Sequence, residues 1–131
     1  MRRRIVWSVV LVCGLVLAVS ACGGLQKPVV LEAKNDYTVN MKLMDYTFEP
    51  NNLQVYQGAT LVLKLENMSL KNHNFTIEDP EGNLMQGMDV IAKKTLETKI
   101  HFARPGIYKF YSNKFMDKMR GMKGQIIIIA R

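Results

Sequence analysis

Short runs rich in Val, Ile, Leu, Thr, Phe and Tyr recur from Tyr37 to the end of the chain, and turn residues separate them. Apolar and polar residues alternate in TLVLKLEN and IYKFY, which is typical of strands with one buried face. Turn signals such as DPEGN and ARPG lie between the runs, and no segment has the periodicity of a long helix. The pattern predicts an all-β sandwich of about seven to eight strands. The strands predicted from these runs are Thr38–Tyr46, Asn52–Tyr56, Thr60–Asn67, Asn74–Glu78, Thr95–Phe102, Gly106–Tyr111 and Gly124–Ala130.

The first residues have the form of an export signal. Arg2–Arg4 form a basic segment, Ile5–Val19 are almost entirely apolar, and the residues VSAC follow. The apolar segment is too short for a stable membrane span, and it predicts a cleaved signal peptide at residues 1–21. A cysteine after two small residues resembles the bacterial lipobox, which implies cleavage before Cys22 and diacylglycerol on its sulfur. The alternative is an ordinary secretory signal that is cleaved nearby and leaves Cys22 without a role.

The chain has only two cysteines, Cys13 in the signal and Cys22 at the predicted lipid site. After processing it would therefore contain no free thiol, no disulfide and no thiolate ligand. Residues 22–36 include GGLQKP and are predicted to be a lipid-anchored tether to a domain at residues 37–131. The expected location is extracytoplasmic, at the periplasmic or outer face of the cell membrane.

Charge is distributed unevenly along the predicted mature chain. Residues 22–92 carry five Lys and nine acidic residues, net −4, whereas residues 93–131 carry ten basic and two acidic residues, net +8. A basic half near a membrane predicts contact with anionic headgroups or an acidic protein partner, and a solvated basic face is the alternative. The export signal argues against nucleic acid as a partner.

The order of several segments resembles the cupredoxins, the family of small blue copper proteins that includes plastocyanin. The segments are YTFEPNNLQVYQGATLVLKLEN, HNFTI, FARPGIYKFY and GMKGQIIII, and the likeness covers about Met44 to Ala130. This resemblance implies a Greek-key β-sandwich of two sheets. It also implies that residues 112–122 lie beside His73.

Cupredoxins hold copper through an early His and through a Cys, a second His and usually a Met on one C-terminal loop, commonly spaced C-x4-H-x4-M. The resemblance places His73 at the first His, Ser112 at the Cys, Asp117 at the second His and Met122 at the Met. A blue site needs a Cu–thiolate bond, which a Ser hydroxyl cannot supply, and Asp is a hard ligand poorly suited to Cu(I). His101, the only other histidine, cannot replace Asp117 in the loop. We therefore expect no blue-copper electron transfer.

Methionine sulfur remains as a soft donor. Met116, Met119 and Met122 are spaced by three, and a second M-x-x-M occurs at Met85–Met88. This spacing resembles the methionine motifs of exported copper-handling proteins, and thioethers select Cu(I). The sequence therefore predicts a Cu(I) site formed by His73 and these three methionines. The alternative is that they fill space in an irregular core or form an adaptable protein-binding surface, with no metal bound.

Two functions are consistent with these residues. The first is an exported, lipid-anchored cupredoxin-like protein that binds copper as Cu(I) and passes it on. The second is a metal-free cupredoxin-fold module that docks on an exported or membrane partner, associated with iron uptake or an oxidase, through the Met-rich loop or the basic half. No nucleophile–base pair, paired carboxylates or phosphate-binding loop is present, so we expect no enzyme activity.

Overall fold

The structure is a computed structural model that describes residues 24–31 and 36–131. The predicted signal at residues 1–21 and Cys22 lie outside the described residues, as do residue 23 and residues 32–35. No helix within the described part of the chain is both long and apolar enough to span a membrane.

Ten strands and one short helix make up the regular structure of the described residues. The strands are β1 Val29–Val30, β2 Asp36–Met44, β3 Thr47–Glu49, β4 Asn52–Tyr56, β5 Thr60–Asn67, β6 His73–Glu78, β7 Leu84–Val90, β8 Thr95–His101, β9 Gly106–Tyr111 and β10 Lys123–Ile129, and the helix is α1 Phe115–Met119. One sheet has the order β1-β4-β10-β9-β6-β7, and the other has the order β3-β2-β5-β8. Strand β4 is parallel to β1 and β10, and β2 is parallel to β5.

This architecture confirms the predicted all-β sandwich of two sheets, although its described residues form more strands than the seven to eight expected. The additional strands are β1, β3 and β7, and none of them has the apolar alternation of a half-buried strand. Strand β7 lies at a sheet edge, where only Val90 of its residues is fully buried. Strand β3 has three residues, too few to produce a periodic pattern.

The core lies between the two sheets and contains a cluster of three phenylalanine rings. The ring of Phe48 meets those of Phe75 and Phe110 edge-on, with centroids 6.1 and 5.1 Å apart. Phe75 and Phe110 are 5.3 Å apart and tilted. All three side chains are buried, and they form a rigid apolar layer between the sheets.

Most of the segments that join the described strands lie at two opposite ends of the sandwich. We call one the loop end, because it contains the longest connection; its segments are residues 45–46, 68–72, 91–94 and 112–122. The other is the far end; its segments are residues 57–59, 79–83 and 102–105. The register of the strands fixes this division, since His73 pairs with Val90 and Tyr111 pairs with Lys123 at the loop end.

Part of the segment predicted to be a tether lies against the domain. Asn51 donates its side-chain amide to the carbonyl oxygen of Gly24 at 3.0 Å and accepts the backbone N–H of Gln26 at 2.8 Å. Further along, Leu31 donates its backbone N–H to Gln54 at 3.0 Å. The chain therefore already contacts the sandwich at Gly24. The start of the domain at residue 37 stays a prediction.

Candidate functional site

The four positions that the cupredoxin resemblance selects all lie at the loop end. His73 is the first residue of β6, and Ser112 directly follows β9. Asp117 lies in α1, and Met122 directly precedes β10. All four side chains are buried. The sandwich thus brings a residue from the middle of the chain against the loop between its last two strands.

A buried hydrogen-bond network joins three of these residues. The Nδ1 atom of His73 lies 2.6 Å from Oδ2 of Asp117, and the Ser112 hydroxyl donates to the same oxygen at 2.7 Å. An ionised carboxylate accepts hydrogen bonds, so these contacts assign the hydrogen to Nδ1 of the imidazole. The Ser112 hydroxyl in turn accepts the backbone N–H of Asn74 at 3.0 Å. We call His73, Ser112 and Asp117 the buried triad.

The second nitrogen of His73 also has a protein partner, which the sequence did not predict. Its Nε2 atom lies 2.8 Å from the Ser69 hydroxyl. Ser69 belongs to the segment between β5 and β6, where its backbone N–H and hydroxyl both contact Oδ1 of Asn67, at 2.9 and 3.0 Å. Asp45 is the nearest acid on this side, with a carboxylate oxygen 3.8 Å from Nε2. The only sequence signal for this contact was a serine four residues before His73.

Backbone hydrogen bonds close the loop around Asp117. Ser112 donates its N–H to the carbonyl oxygen of Met122 at 3.1 Å, and Met122 donates its N–H to that of Asp117 at 2.9 Å. Asp117 lies in the first turn of α1, where a carboxylate is favoured by the unpaired N–H groups of the helix. The Met122 side chain enters the core, with 1% of its surface exposed.

Met116 and Met119 are directed away from the buried triad. Their exposed fractions are 45% and 68%, and they line a surface hollow of about 440 Å³ together with Asp45, Tyr46 and Arg120. The Arg120 guanidinium lies 4.7 Å from the centroid of the Tyr46 ring. The structure therefore separates the three methionines: Met122 is in the core, and the other two are at the surface.

Charged groups of both signs border the hollow beside these methionines, since the Arg120 guanidinium and the Asp45 carboxylate both line it. Lys71 donates to the Tyr46 hydroxyl at 2.9 Å, and this hydrogen bond raises the pKa of Lys71 above its usual value of 10.5. Its ammonium group also lies 5.1 Å from the Tyr46 ring centroid, on a ring that Arg120 also contacts. Two cations thus contact the Tyr46 ring, and the nearby Asp45 carboxylate offsets part of their charge.

The residues at the cupredoxin metal position do not fit a blue copper centre. They offer a hydroxyl and a carboxylate where a thiolate and a second imidazole are needed, and both nitrogens of His73 are already engaged. Within residues 24–31 and 36–131, no buried side-chain nitrogen or oxygen lacks a hydrogen-bond partner. Nor do three or more His, Cys, Asp or Glu side chains of these residues group in a way that could hold a metal ion. The buried triad is therefore satisfied by protein groups alone.

One chain of contacts resembles a hydrolase triad, in which an acid orients a histidine that activates a serine. Its members would be Asp117, His73 and Ser69. The surroundings of Ser69 differ from those of a nucleophile. Its hydroxyl also lies 3.0 Å from the carbonyl oxygen of Lys71 and accepts the N–H of that residue at 3.1 Å. Ser69 is buried, and it does not line the hollow formed by Met116 and Met119. These contacts give Ser69 a structural role in the loop.

Comparison with known proteins agrees with this architecture. The family described as "Cupredoxin-like domain" matches residues 9–128. The chain therefore belongs to the cupredoxin-like family.

Two relatives are cytochrome c oxidase subunit 2 proteins from Thermus thermophilus, and each is 29% identical over 87 residues, or 66% of this chain. The match spans 61% and 49% of the length of these two relatives.

Solved structures of low sequence identity share the fold. Dithionite-reduced auracyanin from Roseiflexus castenholzii is 15% identical with a TM-score of 0.62, and the match covers 75% of this chain and 99% of that one. Auracyanin A from Chloroflexus aurantiacus, a blue copper protein, is 14% identical with a TM-score of 0.62 over 72% of this chain and 99% of that one. The metal-binding domain of the Cu(I)-exporting ATPase CopA from Streptococcus pneumoniae D39, solved with Cu(I), is 14% identical with a TM-score of 0.59 over 81% and 99%. The cupredoxin fold is thus shared with these structures at low sequence identity.

Proposed function

We propose that the protein is an exported, membrane-anchored cupredoxin-like domain that works as a metal-independent binding module. The position of His73 carries this proposal. A hydrogen on Nδ1, donated to Asp117, leaves the neutral imidazole one lone pair, on Nε2, and a metal would have to displace the 2.8 Å contact of that atom with Ser69. The buried triad takes the place of a metal centre and holds the loop between β9 and β10 in one conformation.

A fixed loop suits a binding role, because a pre-formed surface loses little conformational entropy when it binds. The buried triad joins α1 to the start of β6, and the Lys114 ammonium adds a 3.2 Å contact to Asp89 on β7. These contacts therefore hold in place the backbone that carries the exposed side chains of α1. This support favours binding through the loop end over catalysis.

Anchoring through Cys22 is the second part of the proposal, and the basic and apolar segments that precede this cysteine support it. The test is the intact mass of the protein extracted from the membrane fraction of an exporting bacterium. The expected mass is that of residues 22–131 plus diacylglycerol, and Cys22→Ser should accumulate as the unprocessed chain. Normal processing of Cys22→Ser to a soluble product would contradict lipid anchoring.

The metal-independent role is tested by anaerobic titration of Cu(I) against a competing chelator, with parallel melting curves. A metal bound only by the native state adds about 2.7 kcal/mol at a free concentration a hundredfold above its Kd. We expect no competition and no copper-dependent change in Tm for the wild type. A stoichiometric endpoint that His73→Ala abolishes and His101→Ala retains would contradict the proposal.

A second candidate function is Cu(I) handling by the surface methionines, and the exposure of Met116 and Met119 favours it. Thioethers at a surface can receive Cu(I) from a carrier and release it without deprotonation. The double variant Met116→Leu/Met119→Leu tests this candidate, with Met68→Leu as a matched control, because Met68 is also exposed at the loop end. Copper binding that disappears only in the double variant would establish it over the metal-independent role.

A further inference from the structure

Exposed apolar side chains are concentrated at the loop end. Its segments carry six large ones: Met68, Leu70, Ile91, Phe115, Met116 and Met119. The far-end segments, residues 57–59, 79–83 and 102–105, carry none. Leu70 and Phe115 are 85% and 76% exposed, which is unusual for apolar side chains of a folded domain. Such a cluster marks a contact surface.

Cations surround these apolar residues. The loop-end segments contain six basic residues and two acids, of which one, Asp117, is buried; the basic residues are Lys71, Lys93, Lys94, Lys114, Lys118 and Arg120. The far-end segments contain one basic residue, Arg104, and two acids, Asp79 and Glu81. There, Arg104 forms a bidentate salt bridge with Glu81, with N–O distances of 3.0 and 3.1 Å. The loop-end segments therefore combine exposed apolar side chains with a net positive charge, even though Lys114 is paired with Asp89, whereas the far-end segments are net acidic.

The N-terminal segment reaches the domain near the same end. Leu25 lines a hollow of about 470 Å³ whose other walls include Lys118, Met122 and Lys123. Gly24 is held by Asn51, so only residue 23 separates Cys22 from a residue fixed on the sandwich. Two residues of extended chain span at most roughly 7 Å. A lipid on Cys22 would enter the bilayer close to Lys118 and Lys123.

We infer that the loop end of the domain lies on the membrane surface, with Phe115, Met119 and Leu70 in the interfacial layer and the surrounding lysines on anionic headgroups. The inference rests on the lipid anchor of the proposed function. Lysine side chains suit this position, because their apolar stems lie along the interface while the ammonium groups reach phosphate. An acyl anchor combined with a basic surface holds a protein more firmly than either element alone.

A lipid surface accounts for these features better than an acidic protein does. The short connection to Cys22 keeps the loop end within reach of the bilayer, whatever else is bound. The exposed apolar residues come from three separate segments at one end, which suits a flat, laterally uniform surface. Phe115 and Lys114 are adjacent, and an aromatic ring beside a cation is typical of the membrane–water interface.

Depth-dependent tryptophan quenching tests this orientation. Trp7, the only tryptophan, lies in the signal, so Trp7→Phe gives a background without tryptophan whether or not the signal is cleaved. Phe115→Trp reports on the loop end, and Leu84→Trp is the matched control, because Leu84 is 68% exposed and pairs with Glu78 away from the loop end. The chains extracted from the membrane fraction are reconstituted into phosphatidylcholine–phosphatidylglycerol vesicles with brominated acyl chains.

We expect bromine to quench the Phe115→Trp chain several-fold more than the Leu84→Trp chain, and to quench it less when phosphatidylglycerol is omitted. The inference is overturned if quenching is equal at the two positions, greater at 84, or absent from both. Such a result would favour an acidic protein as the partner of the loop end. Quenching that does not depend on phosphatidylglycerol overturns the role of the cations. The intact mass is read separately: a chain without lipid contradicts the anchor, while the ratio of quenching at 115 and 84 still decides which end contacts the vesicle.

Discussion

The imidazole of His73 and the carboxylate of Asp117 are in contact, with Nδ1 and Oδ2 separated by 2.6 Å, at the place where a cupredoxin holds its metal. The two residues come from β6 and α1, and they are 44 positions apart in sequence. Their contact closes the loop end of the sandwich from within. It also determines how this end responds to substitution.

We predict that Asp117→Ala destabilises the domain by about 2–5 kcal/mol, because the His73 N–H and the Ser112 hydroxyl both lose a buried acceptor. Chemical denaturation followed by circular dichroism measures the change. Asp45→Ala is the control: its side chain is 57% exposed and its carboxylate is 3.8 Å from His73, so it should change the free energy of unfolding by no more than about 0.5 kcal/mol.

A double-mutant cycle separates the network from the effect of Asp117 on α1. Ser112→Ala and Asp117→Ala should together cost less than the sum of the two single changes, since both remove the same 2.7 Å hydrogen bond. Strict additivity of the two free energies would show that Ser112 and Asp117 act independently, contrary to the structure.

The sequence predicted a strand wherever turn residues flank a run of alternating apolar and polar residues. The predicted bounds of β4, β5 and β9 match the observed ones. Strand β7 was not predicted, because both faces of this edge strand are partly exposed and its residues therefore need not alternate between apolar and polar.

The placement of the site residues could be predicted from the sequence, whereas the hydrogen bonds among them could not. The resemblance placed His73, Ser112 and Asp117 together, and the structure does bring them together. A spacing of three grouped Met116 and Met119 with Met122, but α1 ends at Met119, so Met122 follows a change in chain direction and turns into the core. Side-chain hydrogen bonds such as that of Ser69 depend on tertiary placement and leave no periodic signal.

We predict that Ser112→Cys/Asp117→His acquires an intense visible absorption with Cu(II), whereas the wild type does not. The new thiol and imidazole would stand at two positions already in contact, next to His73 and Met122, and would complete a His₂Cys set with an axial Met. Absorption titration measures the band. The single variant Ser112→Cys should give a weaker band, because Asp117 still contacts Nδ1 of His73. A double variant that binds copper without colour would show that residue 112 is not the thiolate position.

Gly124 provides a test of the packing beneath the loop. A Cβ atom at this position would overlap the Phe110 ring and the carbonyl oxygen of Asn51. Both neighbours are buried, so Gly124→Ala should destabilise the domain by about 1–3 kcal/mol. Gly87→Ala is a matched control in β7, since its nearest neighbour would be the Thr76 hydroxyl at an ordinary 3.5 Å. Equal unfolding midpoints for the two variants in urea would contradict the described packing.

The last prediction concerns Asp89, whose carboxylate connects β7 to the base of α1. It accepts the side-chain amide of Asn74 at 3.0 Å and lies 3.2 Å from the Lys114 ammonium, and these contacts, Asn74 first, lower the pKa of Asp89 below its usual value of 3.8. A carboxyl with a lowered pKa in the folded state stabilises the protein above its unfolded pKa, and this contribution is lost as the pH falls through the folded value. Asp89→Asn should therefore be less stable than the wild type at neutral pH, and the two should converge as the pH is lowered below 3.8. Urea denaturation across that range measures the difference, and Asp36→Asn, an exposed acid at the start of β2, serves as the control. A gap between wild type and Asp89→Asn that is unchanged from neutral to acid pH would mean that the charge of Asp89 does not support the loop end.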